Sequence, residues 1–134
     1  MSAICRNDGL AELDLELSRL YGLALREPNV DKPRAEELRC SERAWVRDRR
    51  DCWKTIVGLE TCVANAYAMR IHALCDGYSD ARSNDGEGTS LGPVAFRCEG
   101  LEALVSAVFV NGNLPMVSLQ WLGRAMVLPG AASG

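Results

Sequence analysis

The sequence predicts an α+β fold: three helices clipped by a disulfide, followed by a partial antiparallel β-barrel or meander of about four strands. Three observations predict it. Apolar residues recur at spacings of three and four up to about Tyr78, then alternate from about Pro93. Charge divides at the same place: of 15 Lys/Arg and 18 Asp/Glu, only Arg97, Arg124, Glu99 and Glu102 lie beyond residue 92. Six cysteines in 134 residues are many for so short a chain and point to an oxidising compartment. The expected organisation is a helical domain over 4–78, a flexible linker over 79–92 and a β domain over 93–134. The linker, from Ser79 to Ser90, is polar and Gly-rich and lacks a period.

In the helical part, Leu10, Leu13, Leu17, Leu20, Tyr21 and Ala24 mark one face of a first helix. Asn7 or Asp8 caps its start and Pro28 ends it. Asp31 caps a second helix, with Pro33 tolerated in its first turn. That helix carries Leu38, Trp45 and Cys52 seven apart, with Glu42 and Arg49 on the same stripe. A third helix runs from about Glu60 to Asp76, with Val63, Tyr67, Arg70, Ile71 and Leu74 inward and Gly77 as its stop.

The β part begins with Val94, Phe96 and Cys98 alternating with Ala95 and Arg97. Ala103 to Val110 is rich in β-branched and aromatic residues, and Asn111-Gly112-Asn113 supplies a turn. Met116 to Trp121 and Ala125 to Leu128 give two more strands around a bend at Gly123. Four strands leave two open edges, through which self-association is expected.

Cys52 and Cys62 close the second and third helices into a hairpin, a disulfide that stabilises by about 2–3 kcal/mol. Cys40 and Cys75 lie twelve and thirteen residues beyond that clip, so an antiparallel hairpin permits a second pairing between them. Cys5 has no local partner, and Cys98 is expected to be unpaired.

Net charge is −3 and pI near 5.2, without the basic excess that nucleic acid requires. No apolar run approaches the ~20 residues that span a bilayer. The first residues lack the basic and apolar segments of a signal peptide, so an exported protein would have lost its front end. His72 and Cys75 make one ligand pair, whereas zinc sites usually show two, so no metal or other cofactor is expected. A single histidine, no phosphate-cradling Gly loop and no marked carboxylate pair argue against an enzyme.

The helical part has a recognisable frame. It reads Ile4-Cys5, Leu10-x-x-Leu13-Asp14, Leu17 and Tyr21; then Arg43-Ala44-Trp45, Arg49 and Cys52; then Cys62-Val63, Tyr67, Arg70-Ile71 and Leu74. Over residues 4–76 this resembles the N-terminal domain of the LprI-type lysozyme inhibitors, a Cys-rich helical domain of exported bacterial proteins. In that family a further cysteine precedes Ile-Cys; its absence leaves Cys5 without the partner that the resemblance implies. The β part is similar to the MliC/PliC inhibitors of c-type lysozymes. The matching pieces are Val94 to Cys98, the strand around Phe109 with Asn111, Val117-Ser118-Leu119, Val127-Leu128 and Ala131 to Gly134. The resemblance implies a small β-barrel, of which residues 93–134 would be about half, and an inhibitory loop with Ser133 and Gly134 at its core. Ala131 stands where that loop commonly has serine. The family's later tyrosine, lysine and the cysteine that would pair with Cys98 have no counterpart in this sequence.

A c-type lysozyme works with one protonated and one ionised carboxyl group in a cleft. A serine hydroxyl on a protruding loop would hydrogen-bond one of them and displace the sugar. The expected function is therefore inhibition of c-type lysozyme in the bacterial envelope, in the periplasm or outside the cell. The alternatives are an extracytoplasmic protein-binding scaffold, or an immunity protein against another muramidase. Asp14, Tyr21, Trp45, Arg49, Tyr67 and Arg70 are expected to be structural, with Arg49 pairing Asp14 or Glu42 inside the bundle. Arg47-Asp48-Arg49-Arg50-Asp51 is mixed in sign and reads as a solvated helix face.

Overall fold

The computed structural model describes residues 8–26, 31–54, 58–78, 81, 88–100 and 102–129. Within them the order is helix α1 (Asp8–Leu25), helix α2 (Lys32–Arg49), a 3-10 turn (Arg50–Lys54) and helix α3 (Leu59–Gly77). Strands β1 (Ser90–Arg97), β2 (Leu104–Val110), β3 (Met116–Trp121) and β4 (Arg124–Pro129) follow. They form one antiparallel sheet in the order β1-β2-β3-β4, a meander.

Local chemistry accounts for the elements. On α1, Leu10, Leu13, Leu17, Leu20 and Ala24 are all buried, the stripe that the spacing predicts. Asp31 caps α2 by accepting a hydrogen bond from the Arg34 amide at 3.0 Å, with proline in the first turn. Arg47 and Arg49 occupy the last turn, where cations suit the helix dipole. The β3–β4 hairpin turns on two residues, Leu122 at φ 48° and Gly123 at φ 74°, the left-handed pair that suits strand twist. Against β2, β1 carries an irregularity between Leu91 and Val94. Gly92 sits there at φ 137°, where an added Cβ would come within 2.7 Å of the Ala107 carbonyl oxygen.

The helices and the sheet share one core. Buried side chains from α1, α2 and α3 join Val108, Val110 and Met116 of the sheet in a single apolar cluster. Helix α3 lies at its centre, because it is buried on two sides. Val63, Tyr67, Ile71 and Leu74 serve the helical bundle, while Ala64, Ala68 and His72 form a second stripe toward the sheet. Two alanines one turn apart let the sheet approach closely. The expected linker at 79–92 changes accordingly. Ala81 is buried in the core, and Ser90, Leu91 and Gly92 are already in β1; residues 79–80 and 82–87 lie outside the described residues.

The sheet's two faces differ. Ser106, Val108, Val110, Met116 and Ser118 point to α3. Their strand neighbours point away from it, including Val105 and Ala107, which are buried but do not belong to the shared core.

The Cys52–Cys62 disulfide is present, with Cα atoms 5.5 Å apart, and joins the 3-10 turn to the start of α3. The second pairing, Cys40 with Cys75, does not form. The residues of α2 that meet α3 include Arg34, Leu38, Ser41, Glu42, Trp45 and Arg49. Cys40 falls off that stripe and is exposed, while Cys75 is buried on α3. Cys98 is exposed just after β1, and Cys5 lies outside the described residues.

Candidate functional site

Four of the predicted structural residues converge where the three helices meet. The Tyr67 hydroxyl accepts a hydrogen bond from Arg49 Nη1 at 2.7 Å and donates one to Asp14 Oδ1 at 2.7 Å. Trp45 meets the Tyr67 ring edge-on at 5.0 Å, and its indole N–H donates to the Ala66 carbonyl at 3.1 Å. The Arg49 guanidinium stands 4.9 Å from the Trp45 ring centroid and 5.4 Å from that of Tyr67. Burial, and then the hydrogen bond to Asp14, push the Tyr67 hydroxyl well above its ordinary range, so it remains protonated.

Arg70 lies one turn on and pairs with Glu42 at 2.9 Å, also donating to Ser41 Oγ at 2.9 Å. Tyr21 packs against the core, and burial followed by the Glu42 charge raises its hydroxyl. The cluster is a polar seam that fixes how α1 and α2 dock on α3. Arg49 is buried in this seam, inside the bundle as expected, although the charged run around it reads as a solvated helix face.

A second polar group joins α3 to the sheet. His72 is fully buried, with Nδ1 2.9 Å from Ser118 Oγ and Nε2 2.9 Å from Ser106 Oγ. A serine hydroxyl both donates and accepts, so either ring tautomer is satisfied. Burial lowers the His72 pKa and favours the neutral ring. Sequence reasoning weighed His72 as a metal ligand or as the partner of a nucleophile, not as a core residue. The missed signal was the Ala64, Ala68, His72 stripe, which marks a second buried face of α3. Among the described residues, no three His, Cys, Asp or Glu side chains come together as a metal site.

A third group joins α1 to the sheet. Glu16 is buried and accepts hydrogen bonds from the Ser90 backbone N–H at 3.0 Å and from the Ser90 hydroxyl. Arg19 also donates to it, at 2.9 Å from Nε and 3.0 Å from Nη2. Burial alone would raise its pKa, but the bonds from Arg19 and Ser90 outweigh burial and hold the carboxyl below its ordinary value. One turn earlier, Glu12 accepts from the Asn113 amide at 3.0 Å. Helix α1 thus holds both the start of β1 and the β2–β3 loop.

Two openings lie between α3 and the ends of the sheet. One cleft, of about 470 Å³, runs between Glu60, Thr61, Ala64 and Asn65 of α3 and Leu114, Pro115, Met116, Val127 and Pro129. Its floor is apolar and its helix rim polar. A second, at the other end of the sheet, is bounded by Asp76, Ser106, Gln120 and Arg124. Ser133 and Gly134, the residues expected in the inhibitory loop, lie outside the described residues, as does everything beyond Pro129. Among the described residues no helix is long and apolar enough to cross a membrane.

The chain matches no protein-family model, no curated protein and no solved structure. The resemblance to the LprI-type and MliC/PliC inhibitors therefore rests on the motif residues quoted above.

Proposed function

We propose that this protein is an extracytoplasmic binding protein that inhibits c-type lysozyme by obstructing its cleft. The observation that carries this reading is where β4 ends. Pro129 is exposed and borders the open cleft with Glu60, Thr61 and Asn65, so β4 ends at a rim. A short hydroxyl delivered from a rim suits a target whose catalytic carboxyl groups lie at the bottom of a groove. The Cys52–Cys62 disulfide supports an oxidising compartment. The polar seams at Tyr67, His72 and Glu16 support a rigid scaffold, which lowers the ordering cost of binding.

The test is bacterial-wall lysis by a c-type lysozyme in the presence of this protein. Slower lysis that saturates near equimolar protein, and is relieved by Ser133→Asp, is the expected result. Unimpeded lysis at micromolar excess rejects the reading. In that case, capture of a different wall-cutting enzyme from a periplasmic extract would favour the immunity alternative.

A further inference from the structure

The sheet face turned away from α3 is apolar throughout its middle. Leu91 and Phe96 on β1, Phe109 on β2, Trp121 on β3, and Met126 and Leu128 on β4 all lie on it by register. Leu91 is 45%, Phe96 43%, Met126 44% and Leu128 42% exposed. Phe96 and Phe109 stack edge to face at 6.3 Å. Of the side chains that alternate onto this face, only Arg124 carries charge, and it stands at one corner. A contiguous apolar face of this kind marks an interaction surface.

We propose that this face is covered by the same face of a second copy, so that two chains form a β-sandwich about a two-fold axis running along the strands. Three features select this occupant. The first is area. Four strands at ~4.8 Å spacing and about six residues long make a face near 19 Å by 20 Å. That footprint is about 380 Å² in projection, and the relief of its exposed side chains raises the accessible area it buries toward the ~800 Å² per partner of a standard specific interface.

The second is shape. Ala107 and Leu119 are directly paired on β2 and β3. An axis along the strands and between these two lays β2 of one copy over β3 of the other without shifting the rows. Leu119 of each copy then lies over the Ala107 row of the other, so the two leucines do not meet head on.

The third is charge. Arg124 closes the β3–β4 hairpin at the same end of the sheet as the β1–β2 connection, which carries exposed Glu99 and Glu102. The same axis places β4 of one copy over β1 of the other and brings Arg124 to the second copy's Glu99 and Glu102. The alternative axis, across the strands, reverses the ends and sets Arg124 against the uncharged Met116–Pro129 end. Arg97 ends β1 at the corner of Glu99 and Glu102 but alternates onto the helix-facing side, so opposite charges meet across this face only in the first arrangement.

The contact is face to face and leaves the strand edges out of it. It also leaves the cleft at Pro129 on the opposite, helix-facing side of the sheet, so dimerisation and lysozyme inhibition are separable.

Sedimentation equilibrium of the whole chain tests the proposal. The wild type is expected to be a dimer that dissociates on dilution. Arg124→Glu should weaken it at least tenfold, and adding Glu99→Arg with Glu102→Arg to that variant should restore it. These three positions are exposed, so folding is preserved, and Leu119→Glu checked by circular dichroism gives a second, uncharged-core disruption. A wild-type monomer at about 100 μM, where any tighter dimer would be largely assembled, overturns the proposal. So does a dimer indifferent to both the Arg124 reversal and Leu119→Glu.

Discussion

The Tyr67 hydroxyl and the Asp14 carboxylate, 53 residues apart in sequence, lie 2.7 Å apart and tie the first helix to the third. Because the same hydroxyl receives a bond from Arg49, one oxygen links all three helices. Tyr67→Phe removes that oxygen while keeping the ring. It should lower stability by about 1.5–3 kcal/mol, the range for hydrogen bonds to charged groups. Urea denaturation measures it. A double-mutant cycle with Asp14→Asn should be non-additive, and additive effects would mean that the two residues act separately.

Stability should fall on mild acidification through His72. Its pKa in the folded protein is lowered from 6.5 by burial between α3 and the sheet. Above about pH 6.5 the ring is neutral in both states and contributes no pH dependence. Below it, the unfolded chain takes up a proton that the folded one resists, so stability drops by up to about 1.4 kcal/mol per pH unit until the folded pKa is reached. Denaturation midpoints between pH 7.5 and 5 would show this as a slope, flattened in His72→Gln. An unchanged slope in that variant would assign the dependence to other groups.

Glu16 adds a separate loss at lower pH. Its folded pKa lies below 4.5, so its contribution is intact above that value and declines as the pH falls through the folded pKa. Glu16→Gln at neutral pH should cost about 1–3 kcal/mol, since two Ser90 donors then face a neutral amide. Amide exchange supplies the sharper check. Ser90 should lose more protection than Ile71 at the centre of α3, and equal losses would argue against a local clamp.

Reduction of the Cys52–Cys62 disulfide, or the paired change Cys52→Ala with Cys62→Ala, should lower stability by about 2–3 kcal/mol. The fold should persist, because the Tyr67 and Arg70 bonds hold α2 on α3 without it. Thermal unfolding with and without reductant measures the difference. Complete loss of helical signal on reduction at 25 °C would contradict it.

The helix stripes, the Asp31 cap and the strand alternation were legible because each follows from local periodicity. So was the Cys52–Cys62 clip, whose partners are close in sequence. The Cys40–Cys75 register was not, since counting residues from the clip ignores which way each helix face is turned. The joining of helices to sheet was also hidden. It depends on Ala64 and Ala68, which advertise nothing by hydropathy, and on a histidine that meets serines 34 and 46 residues away. Pairings of that length leave no periodic trace. Glu16 was missed for the same reason, because its partner Ser90 lay in a segment whose composition suggested a linker.

The disulfide has one more consequence. It brackets the stretch from Trp53 to Thr61, which includes the crossing from the 3-10 turn to α3. A protease that cuts anywhere in this stretch leaves the two fragments covalently joined, with α1 and α2 on one and α3 and the sheet on the other. In a compartment rich in secreted peptidases, a single scission there would change the chain's mass on a reducing gel without releasing either half.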